Sequence, residues 1–155
     1  MLARSQPDHL KSMVSLEAEM EKGLKGEDSE VRRYMIEEKS SGKPIGWCSI
    51  RFHTWAGKYH NADIGLCIGE KDKWSKGYGT EVTQLLLRES FEQLNLHKVG
   101  WWTFAENQAS IALAKKFGFS EEGRLKDQNF FNNQFHDSVI LGLLKSQYES
   151  SQKRK

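Results

Sequence analysis

The chain has 155 residues, 37% hydrophobic and 28% charged with only two prolines, a composition that suits one compact domain and would cramp two. Lys and Arg number 23 against 21 Asp and Glu, and a net charge of +2 gives no overall field to steer the chain to DNA. Cys48 and Cys67 lack C-x-x-C spacing, no leading apolar stretch resembles a signal peptide, and no run nears the roughly 18 apolar residues of a membrane span. The expectation is therefore a soluble, cytoplasmic protein without disulfides, structural zinc or a membrane partner.

Residues 7–24 set Leu10, Met13, Val14, Met20 and Leu24 near one face at helical spacing, with Glu17, Glu19, Glu21 and Lys22 at polar positions, which predicts an amphipathic helix. Gly23, Gly26 and Glu27-Asp28 break the pattern, and residues 31–37 (VRRYMIE) read as a strand. Ser40-Ser41-Gly42-Lys43-Pro44 is a turn signal, because Gly tolerates positive φ and Pro lacks a ladder donor. Strands over 45–54 and 62–69, separated by a reversal at 57–61, complete an antiparallel meander. Alternation in the last of these places Ala62, Ile64, Leu66 and Ile68 on one face and Asp63, Gly65, Cys67 and Gly69 on the other. The second face is bare: it leaves room for something to lie against the strand, and a bulge or close helix packing would explain the same glycines.

Residues 77–94 predict a helix with two apolar stripes, Val82, Leu85 and Leu86 on one and Leu87, Phe91 and Leu94 on the other, so it is covered on two sides. Residues 98–104 (KVGWWTF) read as a strand reached through that helix, hence parallel to the strand before it. Asn107 can cap a helix carrying Ile111, Leu113 and Phe117, with Gly118 as its stop. Strands over 119–131 and 134–144 form a hairpin at Asn132-Asn133, and residues 150–155 read as a frayed basic tail after a single domain over 1–149.

The segment with most chemistry in it is Lys73-Trp74-Ser75-Lys76-Gly77-Tyr78-Gly79-Thr80-Glu81, with glycines between a strand end and a helix start. The first amides of a helix have no partner within it, Gly allows a phosphate to approach, and Lys73 and Lys76 add positive charge. Neither the Walker nor the dinucleotide glycine pattern is present, and a lone Gly-x-Gly is equally an ordinary tight turn.

Several such segments occur in one order and spacing: Lys43-Pro44-Ile45-Gly46, Ala62-Asp63-Ile64-Gly65-Leu66, Lys76-Gly77-Tyr78-Gly79-Thr80-Glu81, Asn107-Gln108-Ala109-Ser110-Ile111, Lys116-Phe117-Gly118-Phe119 and Phe135-His136-Asp137. Together, over residues 37–148, they resemble the GNAT superfamily of acetyl-CoA-dependent N-acetyltransferases. Leu94-Asn95-Leu96-His97-Lys98 is similar to the branch of ribosomal-protein alanine and spermidine acetyltransferases. The resemblance implies an α/β (α+β) fold: a mixed, mostly antiparallel twisted sheet with a splayed central parallel strand pair and helices on both faces. It implies acetyl-CoA as co-substrate, its pantetheine arm bonded to main chain near Leu66, Cys67 and Ile68. The pyrophosphate would lie on the loop of Lys73, Trp74, Ser75, Lys76, Gly77, Tyr78, Gly79 and Thr80, and Asn107 would reach the arm as well as cap its helix.

The implied reaction is direct attack of a primary amine on the thioester, the oxyanion held by a main-chain N–H near Ile68 and coenzyme A leaving as thiol. Asp63 aligns with a position that is often Glu in this branch and is the candidate base, directly or through water; a carboxylate accepting bonds from a neighbouring loop is its structural alternative. Ser110 is the candidate donor to the leaving sulfur, with local capping as its alternative. Two positions depart from the pattern: Ala114 stands where many members have a Tyr acid, and Trp74 where an Arg or Gln usually opens the loop. The N-terminal strand and helix of the family look shortened. Either a second copy covers the sheet edge near 31–37, making a homodimer, or the acceptor pocket is wide.

Trp47, Trp55, Trp101 and Trp102 read as core or rim aromatics, and Cys67 as a buried small hydrophobe. His53, His60, His97 and His136 share no metal spacing, so no metal site is expected and structural or surface roles are assigned to them. The acceptor is a small-molecule or peptide amine: a protein N-terminus, a polyamine or a small metabolite. The alternatives are a non-catalytic acyl-CoA-binding sensor or assembly module, and a domain that keeps only a nucleotide-phosphate loop.

Overall fold

In the computed structural model, which describes residues 14–18, 31–55 and 58–153, seven strands form one sheet. These are β1 (Val14–Ala18), β2 (Val31–Glu38), β3 (Lys43–Trp55), β4 (Lys58–Ile68), β5 (Lys98–Phe104), β6 (Ser120–Phe131) and β7 (Gln134–Leu144), in the spatial order β1-β2-β3-β4-β5-β7-β6. All neighbours are antiparallel except β4 and β5, which run parallel. The crossover between them carries α1 (Tyr78–Arg88), prolonged by a π-helical turn over Glu89–Gln93; α2 (Gln108–Lys116) joins β5 to β6, and α3 (Lys145–Gln152) follows β7.

Period-two alternation assigns the two faces of the sheet. Tyr34 and Ile36 of β2, Cys48, Ile50 and Phe52 of β3, Ala62 and Ile64 of β4, Val99 and Trp101 of β5, and Val139, Leu141 and Leu143 of β7 are buried and meet in register. Val82, Leu85 and Leu86 of α1, Ile111 and Ala114 of α2 and Tyr148 of α3 close over them as one core. Each fully buried aliphatic side chain contributes about 1.5–3 kcal/mol, which is why the stripes and not the helix propensities decide where the helices lie. All three helices thus share this face. The opposite face exposes Trp47, Trp102 and Phe104, and among the described residues it carries no helix.

The turn chemistry is as the sequence suggests. Gly118 (φ 91°) ends α2, its N–H and that of Phe119 donating to the carbonyls of Lys115 and Ala114. Asn132 and Asn133 both take positive φ, 50° and 58°, between β6 and β7.

Two expectations are corrected. Residues 14–18 form a strand and not part of a helix: Val14, Leu16 and Ala18 alternate with Ser15 and Glu17, and the ladder from Val14↔Glu38 to Ala18↔Tyr34 outweighs a weak helical stripe. That strand covers residues 34–38 of the β2 edge with this chain's own backbone. The rest of the expected helix, the break at 23–28, the reversal at 57 and the last two residues of the tail lie outside the described residues. Secondly, α3 runs through Gln152, into the segment expected to fray. Its anchor is Tyr148, whose ring stacks on Phe91 at 4.9 Å and whose hydroxyl donates to Glu92 Oε1 at 2.9 Å.

Candidate active site

The parallel ladder between β4 and β5 is three pairs long: Asn61↔Lys98, Ala62↔Val99 and Asp63↔Gly100. Beyond it β4 stays with β3 as far as Ile68, while β5 stays with β7 as far as Phe104. The strands part, and main-chain groups along their facing edges have no ladder partner across the gap. A cleft of about 450 Å³ opens there, between this gap and the N-termini of α1 and α2. Of the expected site residues, Leu66, Cys67, Ile68, Lys73, Trp74, Ser75, Gly77, Gly79, Thr80, Asn107 and Ser110 line it; Asp63, Lys76 and Tyr78 do not. Trp101, Ala109 and Leu113 line it as well.

The loop before α1 is shaped by two left-handed residues, Ser75 (φ 58°) and Gly77 (φ 92°). Gly77 is the N-cap and offers no side-chain bond, so the amides of Tyr78, Gly79 and Thr80 cannot be satisfied within the helix. This is the positive end of the α1 dipole, turned toward the cleft. A Cβ on Gly79 would stand 3.3 Å from Leu113 Cδ2, so glycine there keeps α1 close to α2. From α2, Lys116 Nζ reaches Thr80 Oγ1 at 3.4 Å and adds a cation to this rim.

Lys73, expected to supply such charge, has another partner. Its ammonium lies 2.8 Å from Glu38 Oε1 at the end of β2, the Tyr78 hydroxyl donates to the same oxygen, and Ser41 Oγ donates to Oε2 at 2.7 Å. These donors, Lys73 foremost, hold the Glu38 carboxyl down at about 2, and Glu38 in turn pushes Lys73 and Tyr78 upward. The nearly buried Tyr78 therefore points away from the cleft and ties the loop to β2. Trp74 ties it to β4, its Nε1 donating to Ile68 O at 2.8 Å.

On α2, Asn107 Oδ1 accepts from the Ser110 amide at 3.1 Å, which makes it the N-cap while it also lines the cleft. Ser110 Oγ accepts from Trp101 Nε1 at 2.9 Å, an arrangement that leaves its own hydroxyl hydrogen available to a group in the cleft. Ala114, fully buried, has no proton to give.

Asp63 sits at the last rung of the parallel ladder, on the sheet face away from the helices. Its Oδ1 occupies the space a side chain on Gly100 would need, and its Oδ2 is 2.8 Å from His53 Nε2. Gly46 has a comparable steric reason, because a Cβ there would strike the Cys67 carbonyl. Cys67 is exposed on this open face and not the buried hydrophobe expected, and is paired with half-exposed Trp47; Trp102 is half-exposed on the same face of β5, and the Trp55 side chain lies outside the described residues. His136 stacks on Phe131 at 3.7 Å and meets Glu106 Oε1 through Nδ1 at 3.1 Å. Glu38, Lys116, His53 and Trp101 are the residues that sequence reasoning missed or left without a role. Only Lys116 carried a local signal, as a cation near the end of a helix whose start faces the same loop. Among the described residues no three His, Cys, Asp or Glu gather as a metal site, and no helix is long and apolar enough to cross a membrane.

Residues 4–120 match the profile of the Acetyltransferase (GNAT) domain family. The chain is 32% identical to the uncharacterized N-acetyltransferase YoaA of Bacillus subtilis (strain 168) over 113 residues, 73% of this chain and 62% of that one. It is 27% identical to a spermidine N(1)-acetyltransferase of Vibrio cholerae, covering 78% of this chain and 68% of the relative. The crystal structure of the spermidine/spermine N-acetyltransferase SpeG from Vibrio cholerae superposes with a TM-score of 0.70 at 26% identity, over 80% of this chain and 71% of that one.

Proposed function

We propose that this chain, which belongs to the GNAT acetyltransferase family, transfers an acetyl group from acetyl-CoA to a primary amine. The observation that carries the proposal is the parting of β4 from β5 in front of a helix N-terminus with no side-chain cap, all within one cleft. Its volume, about 450 Å³, lies within the range of small-molecule sites, and its lining suits this thioester carrier. Main chain at residues 66–68 would take the amide-bearing arm; the amides of Tyr78, Gly79 and Thr80, with Lys76 and Lys116 nearby, would take the diphosphate. When bound, acetyl-CoA supplies an activated acyl group: a C–N bond forms as the C–S bond breaks, and coenzyme A departs as the thiol.

The chain's own residues divide the remaining work by face. From the open face Asp63, at the last rung before the strands part, would accept the proton that the amine must lose; such a base contributes about 10²–10⁴-fold. From the helix side, the Ser110 hydroxyl, which accepts from Trp101 Nε1, would donate to the departing sulfur. A main-chain N–H along residues 66–68 serves the carbonyl oxygen. The chain spans 62% of its Bacillus subtilis relative, and the acceptor is proposed at the level of a small amine, by analogy with the Vibrio cholerae enzyme, whose name gives spermidine.

The test is release of coenzyme A thiol from acetyl-CoA in the presence of spermidine, amino-acid amines and short peptides. Turnover with at least one amine is expected, falling about 10²–10⁴-fold in Asp63→Asn with coenzyme affinity retained. Tight coenzyme binding with no turnover on any amine would overturn the catalytic reading.

A further inference from the structure

We propose that His53 is the positioning residue for Asp63: its imidazole fixes the carboxylate so that one oxygen is aimed at the throat between β4 and β5. The inference rests on Asp63 being the base, and it adds a residue that no motif marks. His53 lies on β3 and pairs with Asn61, whereas Asp63 pairs with Arg51, so the two side chains meet diagonally across the open face. The contact, Nε2 to Oδ2 at 2.8 Å, is a hydrogen bond of charge-assisted length. Because a carboxylate can only accept, the imidazole nitrogen facing it carries the hydrogen, whether the ring is neutral or charged. With Oδ2 held, Oδ1 has one place to go: the hollow above Gly100, where a side chain would collide with it. Gly100 is the last β5 residue in the parallel ladder, so this oxygen stands at the point where the strands separate.

The surroundings make this a device for orientation and not a buried structural pair. The His53 side chain is 53% exposed and that of Asp63 24%, so neither is needed to satisfy a buried partner. The other charged groups nearby are occupied or stand to the side. Lys98 is bonded to Glu122 Oε2 at 2.6 Å, the Glu122 carboxylate fills the hollow above Gly142 next to Gly100, and Arg51 flanks Asp63 along its rung. A base held in one rotamer spends more of its time in line with the attacking amine, and misplacement by about 1 Å can cost on the order of 10²-fold.

The experiment is a mutant cycle read by steady-state kinetics with acetyl-CoA and an accepted amine. In His53→Ala, kcat is expected to fall about tenfold or more, the loss corresponding to one charge-assisted hydrogen bond, while the KM for acetyl-CoA and the melting temperature stay unchanged. His53→Gln, which retains an N–H donor, is expected to recover most of the loss. In an Asp63→Asn background, His53→Ala is expected to cost nothing further, since a residue acting through another has no effect once that one is gone. Additive losses, or equal losses in the Ala and Gln variants, would overturn the positioning role. If Asp63→Asn itself leaves kcat untouched, the base assignment fails with it; if Asp63→Asn is severe and His53→Ala is silent, only the inference about His53 fails.

Discussion

The two faces of the sheet around the strand gap are built by different means. On the helix side the site consists of main chain and small residues: the edges of β4 and β5, the left-handed Ser75 and Gly77, the free amides at the start of α1. Contacts from elsewhere pin it, through Glu38, Tyr78 and Trp74. On the open face the site consists of side chains on flat strands, His53, Asp63, Trp47 and Trp102, about half of their surface in solvent except for Asp63. A ligand held by backbone geometry depends on side chains only through the fold they hold in place. A ligand held by side chains changes with each substitution. On the proposed function, the side that would hold the carrier is set by backbone geometry, and the side that would meet the acceptor is set by side chains.

That contrast can be broken at three places on the helix side. The largest effect is expected from Gly77→Val. A β-branched residue in the left-handed region costs about 1–2 kcal/mol or more, and turning the first amides of α1 aside should weaken coenzyme A binding about tenfold to a hundredfold by calorimetry. If affinity survives with the helix intact, the amide cradle is not what holds the diphosphate.

Next is Glu38→Gln, which loosens the loop without touching the cleft. A rise in the KM for acetyl-CoA of roughly severalfold to tenfold with kcat preserved is expected, since a bond network is lost and no reacting group is. Glu38 also sets a pH signature. Its carboxyl is held down at about 2 by Lys73, Tyr78 and Ser41, so its contribution to stability is complete above the ordinary Glu range, roughly 4.3, and fades as pH falls toward 2. The melting temperature of the natural chain should fall through that window. Glu106 and Asp137, also held low, add to the fall in both proteins, and the Gln variant should show the shallower slope.

The smallest effect is expected from Ser110→Ala. Trp101 Nε1 loses its acceptor and the cleft one hydroxyl, and kcat should drop about tenfold or less with little change in coenzyme affinity. An unchanged kcat would reduce Ser110 to a support for Trp101.

Much of this was legible in the sequence because turn and cap residues act locally. Gly118 and Asn132-Asn133 stopped and reversed the chain where their conformational freedom allowed, and Gly77 announced the loop. Residues 14–18 were misread because five residues fit two periods and only the ladder with β2 distinguishes them. Residues 145–152 show no stripe, since a single tyrosine anchors α3. Within the site, the glycines and Asn107 are readable because their role is intrinsic to their own backbone. The bonds Glu38–Lys73 and Glu38–Tyr78 span 35 and 40 positions, and nothing in either segment alone hints at the other. His53 was invisible for the same reason: a histidine on an exposed strand acquires a role only when register brings a carboxylate diagonally beside it.

The brevity of the parallel ladder reaches beyond catalysis. Two half-sheets, β1 to β4 and β5 to β7, are stitched along their shared border by three residue pairs and otherwise rely on the helices laid across them. A molecule wedged into the seam becomes the missing stitching. On the proposed function, resistance to heat would be linked by mass action to how much of the carrier is in solution, so withdrawing the acyl donor would slacken the fold as well as stop the reaction.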